Sequence, residues 1–273
     1  MIEIFSYDFM VYALIGAILS GVSCSLLSNY IVLKKMEFIG EGAAHTAFGG
    51  IAFAILFGLN LNIITIITGI IFATVVYYLS KKQKIQENSI IGMFLSFSMA
   101  LGIIFLSIKP GYTPEISSYL FGDVLMINIS DLIILTSILI IIILFIILFG
   151  RELKYYSYNQ KISKIYGVPV NFMHYTFLIL ISVVVVTSVK IIGAILVTSL
   201  LITPGVTARL FAKSINQMLI ISTIIGVFST FTGIIISYYL NIPSGPAIVI
   251  TIFSLFVILY IFQKVFSYFS NRT

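Results

Sequence analysis

Two side chains in this sequence have the types and the spacing to hold a metal ion. Glu41 and His45 stand four residues apart, so on a helix they share one face. A carboxylate and an imidazole on one face can ligate a divalent transition metal. Small residues surround them: Gly42, Ala43, Ala44, Ala47, Gly49 and Gly50. Such residues let helices approach closely or leave room for a solute. An E-x-x-x-H pair is not specific by itself, and a pair that only hydrogen-bonds internally near a helix start reads equally well. Two ligands also fall short of a site, since zinc usually takes four and manganese more. A two-fold dimer that brought this face to its axis would supply two carboxylates and two imidazoles.

Two other stretches stand out. In the polar segment 151–170, Ile162, Ile165 and Tyr166 fall on one side of a short helix, with Lys161 and Lys164 elsewhere on it. Gly167 suits the end of that helix and Pro169 blocks its continuation. A short amphipathic helix of this kind docks in a partner's groove or lies on a membrane surface. Farther on, Thr203-Pro204-Gly205 sits inside an apolar run. Proline removes a donor and glycine adds freedom, so a kink or break is expected there, and broken helices often line transport paths. The other histidine, His174, reads as an interfacial residue. Asp8, Glu115, Asp123 and Asp131 read as solvated charges at span ends.

The elements that must position these residues are membrane spans. Of 273 residues, 60% are hydrophobic and 9% charged, against roughly a quarter charged in soluble domains. Mean hydropathy is +1.18. The net charge of +6 does not point to nucleic acid, because the basic residues sit in short gaps between apolar runs. Cys24 is the only cysteine, which excludes an internal disulfide and a cysteine metal cluster. There is no G-x-x-x-x-G-K-[ST] loop for nucleotide phosphates and no H-E-x-x-H of a zincin protease.

Apolar runs predict spans at about 9–33, 42–58, 62–80, 89–107 and 130–150. The run 171–212 is too long for one span, since roughly 40 helical residues reach about 60 Å. Lys190 lies in its middle, where a charge costs about 3 kcal/mol. The chain is therefore expected to turn near Lys190 to Gly193. Two more spans follow, at about 217–239 and 246–263. The first apolar run is too long for a signal peptide and is expected to stay as a span. The segment 108–129, with Pro110, Gly111, Pro114 and Gly122, is too broken to cross. The fold class is thus all-α: a polytopic membrane protein of eight or nine helices, forming one domain over 1–273. With the N-terminus outside and the C-terminus cytoplasmic, every Lys and Arg except Lys109 and Lys190 falls inside, as the positive-inside rule requires.

Taken together, these stretches resemble the ABC-3 family of metal permeases, the membrane subunits of ABC transporters for zinc, manganese and iron. The resemblance rests on Lys34-Lys35-Met36-Glu37-Phe38-Ile39-Gly40-Glu41-Gly42-Ala43-Ala44-His45, on Tyr166-Gly167-Val168-Pro169, on the run from Gly193 to Pro204, and on Thr207-Ala208-Arg209. They occur in order over nearly the whole chain. The resemblance implies a multi-pass protein of the cell membrane, surrounded by lipid, that forms a homodimer or a dimer of two similar permeases. It implies a separate cytoplasmic ATP-binding subunit docked on 151–170 through Ile162, Ile165, Tyr166 and Gly167. It also implies an external metal-binding protein that delivers the ion. Zinc, manganese or iron is then a substrate, not a resident cofactor, and contacts Glu41 and His45. The sequence departs from the family pattern at one point, with Glu41 standing where Asp is common. The competing readings are a permease for a metal chelate and an ion-coupled secondary transporter that works alone.

Overall fold

A bilayer core offers no water to backbone N–H and C=O groups, so a chain this apolar must bond them within helices. The computed structural model describes residues 8–83, 85–110, 122 and 127–270, and among them it contains ten helices. They are α1 (Asp8–Lys34), α2 (Ile39–Phe57), α3 (Leu61–Gln83), α4 (Glu87–Ile108), α5 (Ile129–Tyr158), α6 (Gln160–Ile165), α7 (Val170–Ile192), α8 (Ala194–Phe211), α9 (Ile215–Leu240) and α10 (Ser244–Ser270). All except α6 are long and apolar enough to cross a membrane. Glu115 and Asp123 lie outside the described residues.

The helices end where local chemistry stops them. Lys35 takes a left-handed conformation (φ 57°) after α1. There the Met36 N–H reaches back to the Ile31 carbonyl at 3.0 Å and the Lys35 N–H to Val32 at 3.3 Å, a Schellman closure. Gly167 (φ 74°) closes α6 in the same way, with the Val168 N–H on the Ser163 carbonyl at 3.0 Å. Asn159 caps the start of α6, accepting from the Lys161 N–H at 2.9 Å. The turn expected near Lys190 is a single residue, Gly193, at φ 83° and ψ 157°.

Helices α1 and α7 form the middle of the bundle. α7 packs against α1, α2, α3, α5 and α8, while α1 packs against α5, α7, α8 and α9. The group α2–α3–α4 lies to one side and α8–α9–α10 to the other. Lipid cannot drive apolar helices together, so close fit must do it. Small residues make that fit. A Cβ on Gly21 would lie 2.8 Å from Thr230 Cγ2, and one on Gly226 would strike Ser25 Oγ. Asn29 Nδ2 donates to Ser222 Oγ at 2.7 Å in the same α1–α9 seam.

Three expectations are corrected. α5 does not stop near residue 150: its axis is disturbed at Phe149 (φ −114°, ψ 20°), but the helix continues to Tyr158. Residues 151–158 pack their buried side chains Leu153 and Tyr156 inward, so the polar segment begins as a span extension before α6 and its closing turn. Thr203-Pro204-Gly205 does not break its helix, which runs from Ala194 to Phe211. The Ser28 hydroxyl of α1 inserts at this point, accepting from the Gly205 N–H at 2.8 Å and donating to the Ile202 carbonyl at 3.3 Å. A neighbouring hydroxyl thus satisfies the disturbed ladder, as membrane helices allow. Finally, Asp131 is not a solvated charge. It is 4% exposed and accepts from Lys190 Nζ at 2.8 Å. Asn62 completes the cluster, donating to Asp131 Oδ1 at 3.0 Å and accepting from Lys190 at 2.8 Å. This ties α3, α5 and α7 together at the end of the bundle opposite the lysines of α1 and α3.

Removing one partner of this pair leaves the other charge uncompensated, which costs about 3–5 kcal/mol where the pair is buried. Lys190 is 28% exposed, so the lower end applies. Asp131→Leu is therefore expected to lower the melting temperature of the detergent-purified protein clearly, and Asp131→Leu with Lys190→Leu to recover most of the loss. Equal melting of the single and double variants would count against the pairing. At the α1–α9 seam, Gly226→Ala is expected to cost about 1–3 kcal/mol from overpacking. Adding Ser25→Gly should return part of that in the same melting assay.

Candidate functional site

α2 begins at Ile39, three residues before the expected start near 42. Glu41 therefore lies in its first turn and His45 one turn farther in. At 1.5 Å per residue, His45 stands about 5 Å from the helix midpoint. The early start has a packing cause: Met36 and Ile39 are buried and hold the α1–α2 turn against the bundle.

The small residues of α2 fit it among its neighbours and leave one edge open. A Cβ on Gly40 would lie 2.8 Å from Leu201 Cδ1 of α8. One on Gly42 would strike Ile91 of α4, one on Gly49 would sit 3.0 Å from the Ser98 carbonyl of α4, and one on Gly50 2.6 Å from Thr68 Oγ1 of α3. These glycines serve helix packing and do not enclose a solute. Glu41 is exposed and His45 half-buried on the remaining edge. The Nδ1 of His45 is buried and makes no hydrogen bond. An unpaired buried ring nitrogen costs about 1–3 kcal/mol. As a neutral imidazole it has one lone pair to give.

The neighbouring part of α8 presents a partly open stripe through Thr198, Ser199, Ile202, Thr203 and Val206. Thr198 lies on the side of α8 that Gly40 approaches. The Thr198 and Ser199 hydroxyls donate back to the Ile195 carbonyl at 2.9 and 3.1 Å, which leaves their oxygen lone pairs free to accept. Sequence spacing did not single out this pair, although both lie in the run from Gly193 to Pro204. Of the three residues expected to line a broken helix, Thr203 is on the open stripe. Pro204 and Gly205 are buried, with Gly205 against Ser28. Among the described residues, no three His, Cys, Asp or Glu side chains gather to hold a metal. Glu41 and His45 therefore have no third such side chain gathered with them among the described residues.

At the lysine-rich end, Ile162 and Ile165 of α6 and Tyr166 just after it form an exposed apolar surface. Ile162 is 48%, Ile165 82% and Tyr166 61% exposed. Tyr166 stacks on Tyr155 of α5, with ring centroids 5.0 Å apart and planes at 15°. α6 is thus braced on the α5 extension. His174 lies just beyond, held on both sides: its Nε2 is 2.9 Å from Glu87 Oε1 and its Nδ1 2.6 Å from the Tyr156 hydroxyl. The Lys34 ammonium covers the Tyr156 ring at 4.1 Å. One contact set thereby joins the starts of α4 and α7, the end of α1 and the α5 extension. The interfacial reading of His174 missed this, because its partners lie 87 and 18 positions away, at Glu87 and Tyr156.

Residues 6–263 match the model of the ABC 3 transport family. Among curated relatives, the chain is 32% identical to the manganese transport system membrane protein MntC of Halalkalibacterium halodurans, over 96% of this chain and 89% of that one. It is 32% identical to the chelated iron transport system membrane protein YfeD of Yersinia pestis, over 96% and 88%. Among solved structures, it superposes on PsaBC from Streptococcus pneumoniae, determined in complex with Fab, with a TM-score of 0.84 and 32% identity, covering 95% of each chain.

Proposed function

Since this chain belongs to the ABC 3 transport family, we propose that it is the permease subunit of an ATP-driven importer of divalent transition-metal ions. The observation that carries the site assignment is the open edge of α2, where the exposed Glu41 and the half-buried His45 lie one turn apart. Carboxylate oxygen and imidazole nitrogen suit zinc, manganese and iron(II) alike. Because one chain supplies two ligands, two chains meeting at this edge complete the set, and the ion is shared between them. The names of the relatives, manganese for MntC and chelated iron for YfeD, support this class of cargo. Thr198, Ser199 and Thr203 on α8 then offer neutral oxygens along the path.

The lysine-rich end is assigned to the cytoplasm, which puts the N-terminus outside and the C-terminus inside. There α6 offers Ile162, Ile165 and Tyr166 to a separate ATP-binding subunit. A helix end that Gly167 closes and Tyr155 braces can transmit force to α5 and α7 without bending. On the outer side, a metal-binding protein delivers the ion.

Metal uptake into proteoliposomes, with the ATP-binding and metal-binding subunits present, tests the site. Glu41→Gln and His45→Ala are each expected to cut uptake at least about tenfold, the scale on which lost metal-site partners act. Unchanged uptake in both variants would sink the ligand assignment, and uptake by the purified chain without any ATPase would sink the ATP-driven reading. For the docking surface, Ile165→Asp places a charge at the centre of the apolar patch. It is expected to weaken association with the ATP-binding subunit by about 30-fold, as for a hot-spot residue. The variant's own elution from size exclusion should not change. Full retention of the subunit would remove α6 from the interface.

A further inference from the structure

Positive charge on this molecule is not spread evenly along the lysine-rich end. Four lysines converge on one cavity of about 500 Å³, lined by Lys34, Lys35, Lys81 and Lys164 with Asn88 and Asn171. Its wall comes from the α1–α2 turn, the end of α3, the start of α4, α6 and the start of α7. None of the four lysines is ion-paired to a carboxylate among the described residues. The one acid in the wall, Glu87, is already engaged by His174 at 2.9 Å. Lys81 Nζ donates to the Tyr77 hydroxyl at 3.2 Å and Lys34 covers the Tyr156 ring. Both contacts are neutral; Glu87 offsets the charge of Lys34 in part, and Lys35, Lys81 and Lys164 have no carboxylate paired to them among the described residues. α4 and α7 also begin in this wall, each without a side-chain cap on its first N–H groups. Uncapped helix starts add partial positive charge.

Like charges gathered around one concavity repel unless an anion fills it. We propose that this cavity binds the phosphate of an anionic phospholipid. The choice of a lipid over a free anion or an acidic peptide rests on α3. Ile67, Ile71 and Tyr78 are exposed on α3 and lead along it to Lys81 and Lys82. Acyl chains lie along that apolar face while the headgroup enters the basic cavity. A free phosphate or a peptide would make no use of the face. Because Lys164 belongs to α6 and Lys35 to the turn before α2, one bound headgroup bridges the two segments by charge. This reading depends neither on the cargo nor on the docking role of α6.

Native mass spectrometry of the full chain in detergent, titrated with phosphatidylglycerol or phosphatidylcholine of matched acyl chains, tests the proposal. Phosphatidylglycerol is expected to bind more tightly. Lys35→Gln with Lys164→Gln should weaken it by about 30-fold, the sum of two lysines near a lipid headgroup. Lys213→Gln, an exposed lysine in the α8–α9 link, should leave it unchanged. Equal affinity for both lipids, or no effect of the double variant, would overturn the proposal. So would inorganic phosphate binding as tightly as the lipid, which would mark a small-anion site. If the double variant kept its lipid but lost the ATP-binding subunit, the cavity would instead be a seat for acidic side chains of that subunit.

Discussion

Everything in this bundle depends on how closely α1 and α7 can be approached. Both are enclosed by other helices, and in lipid only close van der Waals fit and polar contacts between helices can hold them there. The sequence places a small or hydroxyl residue at each crossing: Gly21 against Thr230, Ser25 against Gly226, Ser28 against Gly205. The same contacts that bring α8 against α1 also set the angle at which α8 meets α2. The open edge carrying Glu41 and His45 is what remains of α2 once Gly40, Gly42, Gly49 and Gly50 have let three helices close on its other sides. A larger residue at any of these positions would move the edge before it touched Glu41 or His45.

Much of this architecture was legible because hydropathy is a local property. Every span predicted from an apolar run is present, and the turn inferred from the charge of Lys190 is there at Gly193. Boundaries were less legible, because they are set by what the chain packs against. α2 starts early because Met36 and Ile39 find burial, and α5 runs past its polar boundary because Leu153 and Tyr156 face inward. The break that Pro204 allows does not occur for a related reason: its effect depends on a hydroxyl at Ser28, far away in sequence. The polar contacts were the least legible. Asp131 and Lys190 each look like a residue at a span end, and only the fold brings them within 2.8 Å. His174 likewise gains its role from Glu87 and Tyr156, which belong to two other helices.

The two ends of the bundle are built differently. One is fastened by a buried charge pair with an amide beside it, which joins α3, α5 and α7 in a fixed geometry. The other is held by a histidine between two partners, an ammonium over a ring, and lysines around a cavity. Breaking the first exposes an unpaired buried charge and is costly.

The one-residue link at Gly193 gives that asymmetry a mechanical meaning. With no loop to take up slack, α7 and α8 meet end to end at this one residue. α7 has 23 residues, which makes an arm of about 35 Å. If its far end is the fulcrum, fastened through Lys190, a tilt of about 5° displaces the α6 end by about 3 Å. Run in reverse, a displacement of that size at α6 is geared down to a small rotation at the elbow. A rotation passed across Gly193 would turn the hydroxyl stripe of α8 relative to α2 by degrees.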